Sequence, residues 1–310
     1  QAIAALVACV GAIASAQAAA PYPDKPIRML VGFPPGGSTD VLARQIGARL
    51  GEALGQQVVI DNRPGATGNM ASETVAKANP DGYTLLMATV SSHGINPALF
   101  RKVPYDPVKD FQPVTLVATY PLVLAANPAA GARTTRQLIE LAKAKPGQIR
   151  VASSGNGSPG HLAAEIFKSM SGADLLHIPY KGGAPSTIAV LANEAQVTFA
   201  TLPGMMPHLK SGRAIALGVT TAARSPALPD VPTIAESGGL AGFDVSSWAG
   251  IVLPARTPKD VVSRVHREII KALQSPDMVS RLSAEGANPV GNSPDEFAAF
   301  IKSELAMWAK

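Results

Sequence analysis

Four loops of the sequence are rich in Gly, Ser, Thr and Asn, the residue types that present backbone amides and hydroxyls to a ligand. The first loop, FPPGGSTD at 33–40, follows an apolar run and precedes a helical pattern. Its two glycines let the backbone approach a ligand closely, and we expect Ser38 or Thr39 to cap the helix. Free amides and the helix dipole at such a position favour an anion. A capped strand-to-helix turn without a ligand is the alternative.

Two further loops carry side chains with ionic or acid–base chemistry. The loop NRPGATGN at 62–69 contains Arg63, which could pair with a ligand carboxylate or with an acidic residue of the protein. The loop TVSSHG at 89–94 contains His93, for which a structural hydrogen bond and a ligand contact are both open. Both loops follow predicted strands, and the carboxyl ends of parallel strands are where open α/β sheets bind ligands.

The fourth loop, SSGNGSPGH at 153–161, contains Gly-x-Gly-x-x-Gly between a strand pattern and a helix pattern. Taken literally, with Asp174 nineteen residues beyond the first glycine, this is a dinucleotide-binding fingerprint. A proline inside the loop and two serines before it favour a shorter anion-binding loop instead. The nearby segment 180–185 begins with Tyr180, which could cover an apolar part of a ligand or pack within the protein.

The motifs of common catalytic sites are absent from the sequence. It contains no Gly-x-Ser-x-Gly nucleophile elbow, no phosphate-binding loop of the Walker type and no His-Glu-x-x-His motif. The five histidines are scattered, which predicts no metal site, and we expect no cofactor. The net charge of +5 comes from dispersed Lys and Arg, which argues against nucleic-acid binding. Neutral donor loops without a nucleophile predict a binding protein and not an enzyme.

The first twenty residues, QAIAALVACVGAIASAQAAA, carry no charge and end in repeats of small residues. This pattern is typical of a signal peptide, here without the basic start that usually precedes it. We interpret 1–20 as a signal-peptide remnant and expect a periplasmic protein, with a transmembrane anchor as the alternative. Cys9 resembles the lipidated residue of a lipoprotein, but the apolar stretch continues beyond it. After cleavage no cysteine remains, so disulfides and thiol catalysis are excluded.

After this leader, short apolar runs alternate with helical patterns, which predicts an α/β fold with mixed, mainly parallel sheets. Two long extended segments, 114–126 and 244–253, fit crossings between two lobes. We therefore predict a discontinuous first lobe (21–120 plus 245–310), a continuous second lobe (121–244) and a cleft between them.

Eight segments of the chain match the pattern of one known family. They are YPDKPIR at 22–28, the loop at 33–40, NRPGA at 62–66, NPDGYTL at 79–85, PG at 146–147, GNGSPGHL at 155–162, PYKG at 179–182 and LPDVPT at 228–233. Together they resemble the Bug family, the periplasmic receptors of tripartite tricarboxylate transporters. The likeness covers essentially the whole chain after the leader, and the motifs are specific in combination.

The resemblance implies a type II Venus-flytrap fold, in which two α/β lobes close on a ligand. In that family, backbone amides and hydroxyls from loops of both lobes hold a ligand carboxylate. Carried onto this chain, the first-lobe contacts fall on Gly36, Gly37, Ser38 and Thr39, the second-lobe contacts on Ser153, Ser154, Gly155 and Asn156, and the side walls on Ala66, Thr67, Ser91 and Ser92. In the same loops and at the segment 180–185, the predicted site is completed by Phe33, Pro35, His161 and Tyr180.

The resemblance further implies that the protein captures a small carboxylate by hinge closure and presents it, as a monomer, to the membrane permease of a tripartite tricarboxylate transporter. Family ligands include di- and tricarboxylates, aromatic acids and amino acids. We favour a plain organic acid, because Asp40 is the only acidic residue of the first loop and fits a first-turn helix position. Two alternatives stay open: a dinucleotide-dependent enzyme using the loop at 155–160, and a ligand sensor for a membrane kinase.

Overall fold

The computed structural model describes residues 22–309, in which strands and helices alternate. The predicted signal-peptide remnant 1–20 and Cys9 lie outside the described residues. The strands are β1 (Ile27–Val31), β2 (Val58–Asn62), β3 (Thr84–Thr89), β4 (Phe111–Ala126), β5 (Ile149–Ser153), β6 (Leu175–Pro179), β7 (Val197–Thr201), β8 (Ile215–Val219), β9 (Ser246–Pro254) and β10 (Asn288–Pro289).

The α-helices follow the strands closely along the chain. They are α1 (Ser38–Leu54), α2 (Asn69–Ala76), α3 (Asn96–Leu99), α4 (Thr135–Ala144), α5 (Pro159–Ser171), α6 (Gly183–Leu191), α7 (Leu202–Lys210), α8 (Ile234–Gly238), α9 (Lys259–Gln274), α10 (Pro276–Ala284) and α11 (Pro294–Trp308). A 3₁₀ turn at Ala66–Gly68 precedes α2, and a π-helical turn at Ser91–Ile95 precedes α3.

Two mixed sheets share the 16-residue strand β4. The strand order is β2-β1-β3-β9-β4-β10 in the first sheet and β6-β5-β7-β4-β8 in the second. Strands β1 to β3 and β5 to β7 pair in parallel, whereas every pair that involves β4 or β9 is antiparallel. The parallel arrangement expected from the sequence therefore holds for the outer strands. The long connecting strands β4 and β9 are antiparallel to their neighbours.

Each sheet has its own apolar core. In the first, Leu42, Ile46 and Leu50 of α1 are buried at the four-residue spacing that the sequence predicts for one helix face. The second core surrounds Leu124 and Phe167. Helices α9 and α11 return from the end of the chain to pack on the first sheet. This packing supports the predicted lobes (21–120 plus 245–310, and 121–244), whose limits stay a prediction.

Helix α11 also supports a loop of the cleft. Trp248 and Trp308 both donate their indole N–H to the carboxylate of Glu304, over 2.8 Å and 3.2 Å. Gly94 lies against the Trp308 ring, where a Cβ at residue 94 would come within 3.1 Å of the ring. The C-terminal helix therefore packs directly behind the π-helical turn. Within 22–309, no helix combines the length and the apolar character that a bilayer crossing needs.

Candidate functional site

The loop at 33–40 is held by the carboxylate of Asp40. This carboxylate accepts hydrogen bonds from the Gly36 amide and from the Asn62 side chain, both over 2.9 Å, and pairs with Arg44 at 3.0 Å. Burial alone would raise the pKa of Asp40, but the hydrogen bonds from Arg44, Gly36 and Asn62 lower it below its usual value. Asp40 therefore shapes the loop from behind and has no oxygen directed to a ligand ammonium group.

The cap expected from Ser38 or Thr39 is wrong, because α1 already begins at Ser38 and its N-cap is Gly37, which has no side chain. Gly37 is extended (φ −80°, ψ 164°), and no side chain accepts a hydrogen bond from the first-turn amides. The amides of Ser38 and Thr39 consequently have no acceptor within 22–309. Exposed amides at a helix N-terminus are suited to an anion.

A cavity of about 290 Å³ lies at these amides, between the two sheets. Its walls come from both predicted lobes and from the connecting strands, where Tyr120 of β4 pairs with Ser247 of β9. The lining residues are Phe33, Gly36, Gly37, Ser38, Thr39, Thr89, Ser91, Tyr120, Leu122, Ser154, Pro159, Gly160, Gly183, Ala184, Ser186, Thr187, Ile188, Phe199, Ala200, Thr201, Gly204, His208 and Ser247.

The first turns of four helices meet at this cavity. Helix α1 contributes from the first lobe, and α5, α6 and α7 contribute from the second. The first turns of α1, α6 and α7 have no side-chain cap, whereas Ser158 caps α5 by accepting from the His161 amide. Each helix N-terminus carries a partial positive charge, and the four add up at one place. This arrangement of backbone dipoles is electrostatically suited to an anion.

No Asp, Glu, Lys or Arg lines the cavity within the described part of the chain. Its titratable side chains are Tyr120 and His208. Burial raises the pKa of Tyr120 to about 12, so the phenol is neutral and can act as a hydrogen-bond donor at neutral pH. Burial and the neighbouring Arg213 lower the pKa of His208, so its ring is neutral as well. The wall consists of neutral donors and apolar surface.

The structure gathers part of the predicted site at the cavity. The residues that line it are Phe33, Gly36, Gly37, Ser38, Thr39, Ser91 and Ser154. The residues that do not are Pro35, Ala66, Thr67, Ser92, Ser153, Gly155, Asn156, His161 and Tyr180. For all of them, contact with a ligand stays a prediction.

Two side-chain hydrogen bonds join the two predicted lobes at or beside the cavity. The Thr67 hydroxyl donates to the Asn156 carbonyl over 2.7 Å, and Ser38 Oγ lies 2.8 Å from Thr201 Oγ1. A Cβ on Gly155 (φ 124°) would lie 3.3 Å from Thr67 Oγ1, so glycine allows this close approach. The Gly-x-Gly-x-x-Gly segment thus packs against the first lobe at its start.

Ser92 and His93 are engaged inside the first lobe. Ser92 Oγ lies 2.9 Å from His93 Nδ1, and the Ser92 carbonyl accepts from the Tyr105 hydroxyl over 2.7 Å. Complete burial lowers the pKa of His93 to about 3, so this ring stays neutral. Of the two interpretations open for His93, the structure supports the structural one. Arg63 likewise pairs with Asp61 at 3.0 Å.

Ser153, His161 and His177 form a cluster behind the fourth loop. Ser153 Oγ lies 2.6 Å from His177 Nε2, and the rings of His161 and His177 stack with centroids 4.3 Å apart. The amide of Gly157 donates to His161 Nδ1 over 3.3 Å. Burial and the neighbouring His161 lower the pKa of His177 to about 4. The cluster holds the fourth loop in place, because the Gly155 amide donates to Ser153 Oγ and the Gly157 amide donates to His161.

Sequence reasoning missed most of the second-lobe wall. The missed lining residues belong to α5, α6, α7 and β7, to the connecting strands and to β3. In β3, Thr89 Oγ1 is buried without a hydrogen-bond partner within 22–309. A signal was available at α6, because Gly182-Gly183 and then Ser186-Thr187 have the composition of the first loop. The start of α7 and the strand residues carry no such local signature.

The sequence matches the family model described as "Tripartite tricarboxylate transporter family receptor" over residues 42–310. The chain belongs to this family. Its members are periplasmic solute-binding receptors. The resemblance to the Bug receptors and the predicted fold class are therefore confirmed.

The relatives of this receptor include proteins with bound acids. Protein BugT of Bordetella pertussis (strain Tohama I) is 39% identical over 311 residues, covering 98% of this chain and 95% of BugT. The structure of R. palustris Rpa4515 with adipate has a TM-score of 0.90 at 37% identity, covering 93% of this chain and 96% of that one. MatC (Rpa3494) from Rhodopseudomonas palustris with bound malate has a TM-score of 0.88 at 31% identity, covering 93% and 99%.

Proposed function

We propose that this receptor binds a small organic acid in the 290 Å³ cavity and presents it to the membrane permease of a tripartite tricarboxylate transporter. The observation that carries the proposal is the meeting of four helix N-termini at a cavity that no charged residue among 22–309 lines. A carboxylate there receives hydrogen bonds from uncapped amides and hydroxyls. Such charge-assisted bonds contribute about 1.5–3 kcal/mol each.

The lining residues also favour one class of acid over another. An amino acid would place its ammonium group in a cavity with no carboxylate among the described lining residues. A buried charge without a partner is strongly unfavourable. The relatives crystallised with adipate and malate hold plain dicarboxylic acids. We therefore propose a plain organic acid as the ligand of this chain.

The position of the connecting strands indicates how the lobes would close on the acid. β4 and β9 run between the lobes and pair at Tyr120 and Ser247, two residues that line the cavity. Rotation about these strands would separate the Ser38–Thr201 and Thr67–Asn156 contacts and open the cavity. An acid bound first on the α1 amides then gains donors from α5, α6 and α7 as the lobes close. Since no step in this cycle breaks a covalent bond, the proposed role is binding without catalysis.

A thermal-shift panel tests the proposal. The protein lacking 1–20 is unfolded, dialysed and refolded to remove bound ligand, and then heated with mono-, di- and tricarboxylates, amino acids and nicotinamide cofactors. An acid at a hundred times its dissociation constant stabilises the folded state by about 2.7 kcal/mol, which raises the melting temperature by several degrees. We expect the increase with organic acids. An increase with a nicotinamide cofactor alone would favour the enzyme alternative and refute the proposal.

A further inference from the structure

His208 differs from the other polar residues of the cavity. It is the one imidazole in the described lining, and it lies in the last turn of α7. Thr201, the N-cap of α7, lies seven residues earlier, next to Ser38. At 1.5 Å per residue, the two positions are about 10 Å apart along the helix axis. His208 and Ser38 therefore lie near opposite ends of α7.

The protonation of the His208 ring is determined by Arg213. A guanidinium nitrogen of Arg213 lies 2.7 Å from His208 Nδ1. A guanidinium can only donate, so Nδ1 must be the unprotonated nitrogen that accepts. In the neutral ring the proton then resides on Nε2. This nitrogen has no hydrogen-bond partner within 22–309 and is left as a donor.

Burial and the charges around the His208 ring keep the ring neutral. Burial is the main cause that lowers the pKa of His208, and the positive charge of Arg213 adds to it. Lys210 follows on the same helix. Arg281 of α10 and Glu285, which directly follows α10, line the larger cavity that His208 also borders. A second proton on the ring would meet mainly positive neighbours, so a neutral donor is the stable form near pH 7.

We propose that His208 is a specificity-determining residue, whose Nε2–H donates a hydrogen bond to a second acceptor group of the ligand. The group is a carboxylate, hydroxyl or carbonyl at the end opposite the carboxylate on the α1 amides. The inference rests on the proposed function and narrows it. It assigns the receptor to acids with a polar far end, in preference to acids of the same length with an apolar end.

A purely structural role for His208 predicts a different pattern. The backbone carbonyl of His208 accepts from the Arg213 amide over 3.0 Å, so the side-chain contact could serve only to end α7. Replacing His208 would then lower the stability of the protein and reduce its affinity for every acid equally. A ligand contact predicts a selective loss, because only acids with a far acceptor lose a hydrogen bond.

The test compares paired acids of equal chain length by titration calorimetry. Adipate with hexanoate, and succinate with butyrate, differ only in the second carboxylate. In His208→Leu we expect the affinity for the better-bound dicarboxylate to fall at least tenfold. The affinity for its monocarboxylate partner stays within about twofold, since a hydrogen bond to a charged group is worth one tenfold step or more.

His208→Gln is the matched variant. The glutamine amide can place an N–H near the position of Nε2, so we expect it to keep the dicarboxylate within about threefold of the native affinity. Unfolding of each variant without ligand shows whether it is folded. Equal weakening of both acids in His208→Leu, or no weakening of either, would overturn the inference.

Arg213 acts through His208 as a positioning residue, and its test needs a separate readout. In Arg213→Met we expect ¹⁵N NMR to show a mixture of ring tautomers in place of the single Nε2–H form. The affinity for the dicarboxylate should fall by a few fold. The control is Arg136→Met, a substitution at an exposed position on α4, which should leave the tautomer and the affinity unchanged. A single tautomer in Arg213→Met would contradict the assigned role.

The outcomes for the two proposals are separate. If the native protein binds no acid of the panel, the proposed function fails and the inference fails with it. If the native protein binds an acid but His208→Leu keeps the preference for the dicarboxylate, only the inference fails.

Discussion

The two walls of the cavity are built differently, although both offer helix N-termini to the ligand. The first-lobe wall comes mainly from one continuous loop, and five of the six residues predicted there line the cavity: Phe33, Gly36, Gly37, Ser38 and Thr39. In the second lobe, the predicted loop at 153–161 contributes Ser154, the one predicted contact there that lines the cavity, together with Pro159 and Gly160. Most of that wall belongs to α6, β7 and α7.

The difference reflects how each wall is assembled. The first loop joins β1 to α1, so one stretch of sequence contains the strand, the glycines and the uncapped helix start. The second wall needs three helices that follow three different strands, and only the sheet order β6-β5-β7 brings their first turns together. A local motif therefore predicts the first wall, while the second depends on tertiary structure. The predictions below test whether the two walls contribute unequally to binding.

The largest effect is expected at Gly37. An added Cβ would have 3.9 Å to the Ala184 amide nitrogen and to the Pro34 carbonyl, so alanine fits. The two methyl groups of valine reach beyond that position, toward the α1 amides and the start of α6. We expect Gly37→Val to lower acid affinity at least thirtyfold, the size of about 2 kcal/mol. Ser38→Ala, which removes one hydroxyl contact, should cost about fivefold.

Gly37→Ala is the control, with affinity expected within about threefold of the native protein because its Cβ makes ordinary contacts. Titration calorimetry with one acid measures all three variants. An equal or larger loss in Ser38→Ala would show that the hydroxyls, and not the amides, hold the carboxylate.

The same contrast between a wall from one loop and a wall from three helices explains which parts of the site the sequence predicts. The alternation of apolar runs, the buried face of α1 and the donor loop at 33–40 are local patterns, and they correspond to elements of the structure. His208 carries no local signature, since it reaches the cavity through the packing of distant elements. Thr89 begins the predicted loop at 89–94, but nothing in that loop distinguishes it as a lining residue from Ser91 or Ser92. Ser92 has the right residue type but is turned inward by the π-helical segment.

The next largest loss of acid affinity is expected from replacing Thr89, on the first-lobe side of the cavity. Its hydroxyl oxygen is buried, borders the cavity and has no hydrogen-bond partner within the described residues. If it donates to the acid, Thr89→Val should weaken binding about tenfold while leaving the ligand-free protein as stable as before or more stable. Thr89→Ser is the control and should retain most of the affinity. Unchanged binding in Thr89→Val would remove Thr89 from the site.

A smaller effect is expected where the two walls touch. The Thr67 hydroxyl donates to the Asn156 carbonyl across the cleft, so it stabilises only the arrangement in which the lobes are in contact. A neutral hydrogen bond contributes about 1 kcal/mol, so Thr67→Ala should lower acid affinity by about fivefold. Thr67→Ser keeps the hydroxyl and should bind normally. Affinity equal to that of the native protein in Thr67→Ala would show that this contact does not favour closure.

The smallest expected effect is on the pH dependence of stability. It distinguishes His177, which supports the second wall, from Asp40, which supports the first. The pKa of His177 is lowered to about 4 in the folded protein by burial and by His161, against about 6.5 in an unfolded chain. Between these values the unfolded chain binds the extra proton, so acidification favours unfolding. The stabilisation by neutral His177 is complete above about pH 6.5 and is lost as the pH falls through about 4. The pKa of Asp40, which supports the first wall, is lowered by its partners, so its contribution persists to lower pH.

We therefore expect the melting temperature to fall between pH 7 and pH 4.5 by slightly more in the native protein than in His177→Gln. Because His177 is half-exposed, the difference is small. His93, with a pKa lowered to about 3 by burial, contributes in the same direction in both proteins and cancels in the comparison. Circular dichroism measures the melting temperatures, and NMR follows the His177 ring. A ring midpoint above pH 6, or identical pH dependence in the two proteins, would show that acid does not act on the second wall through His177.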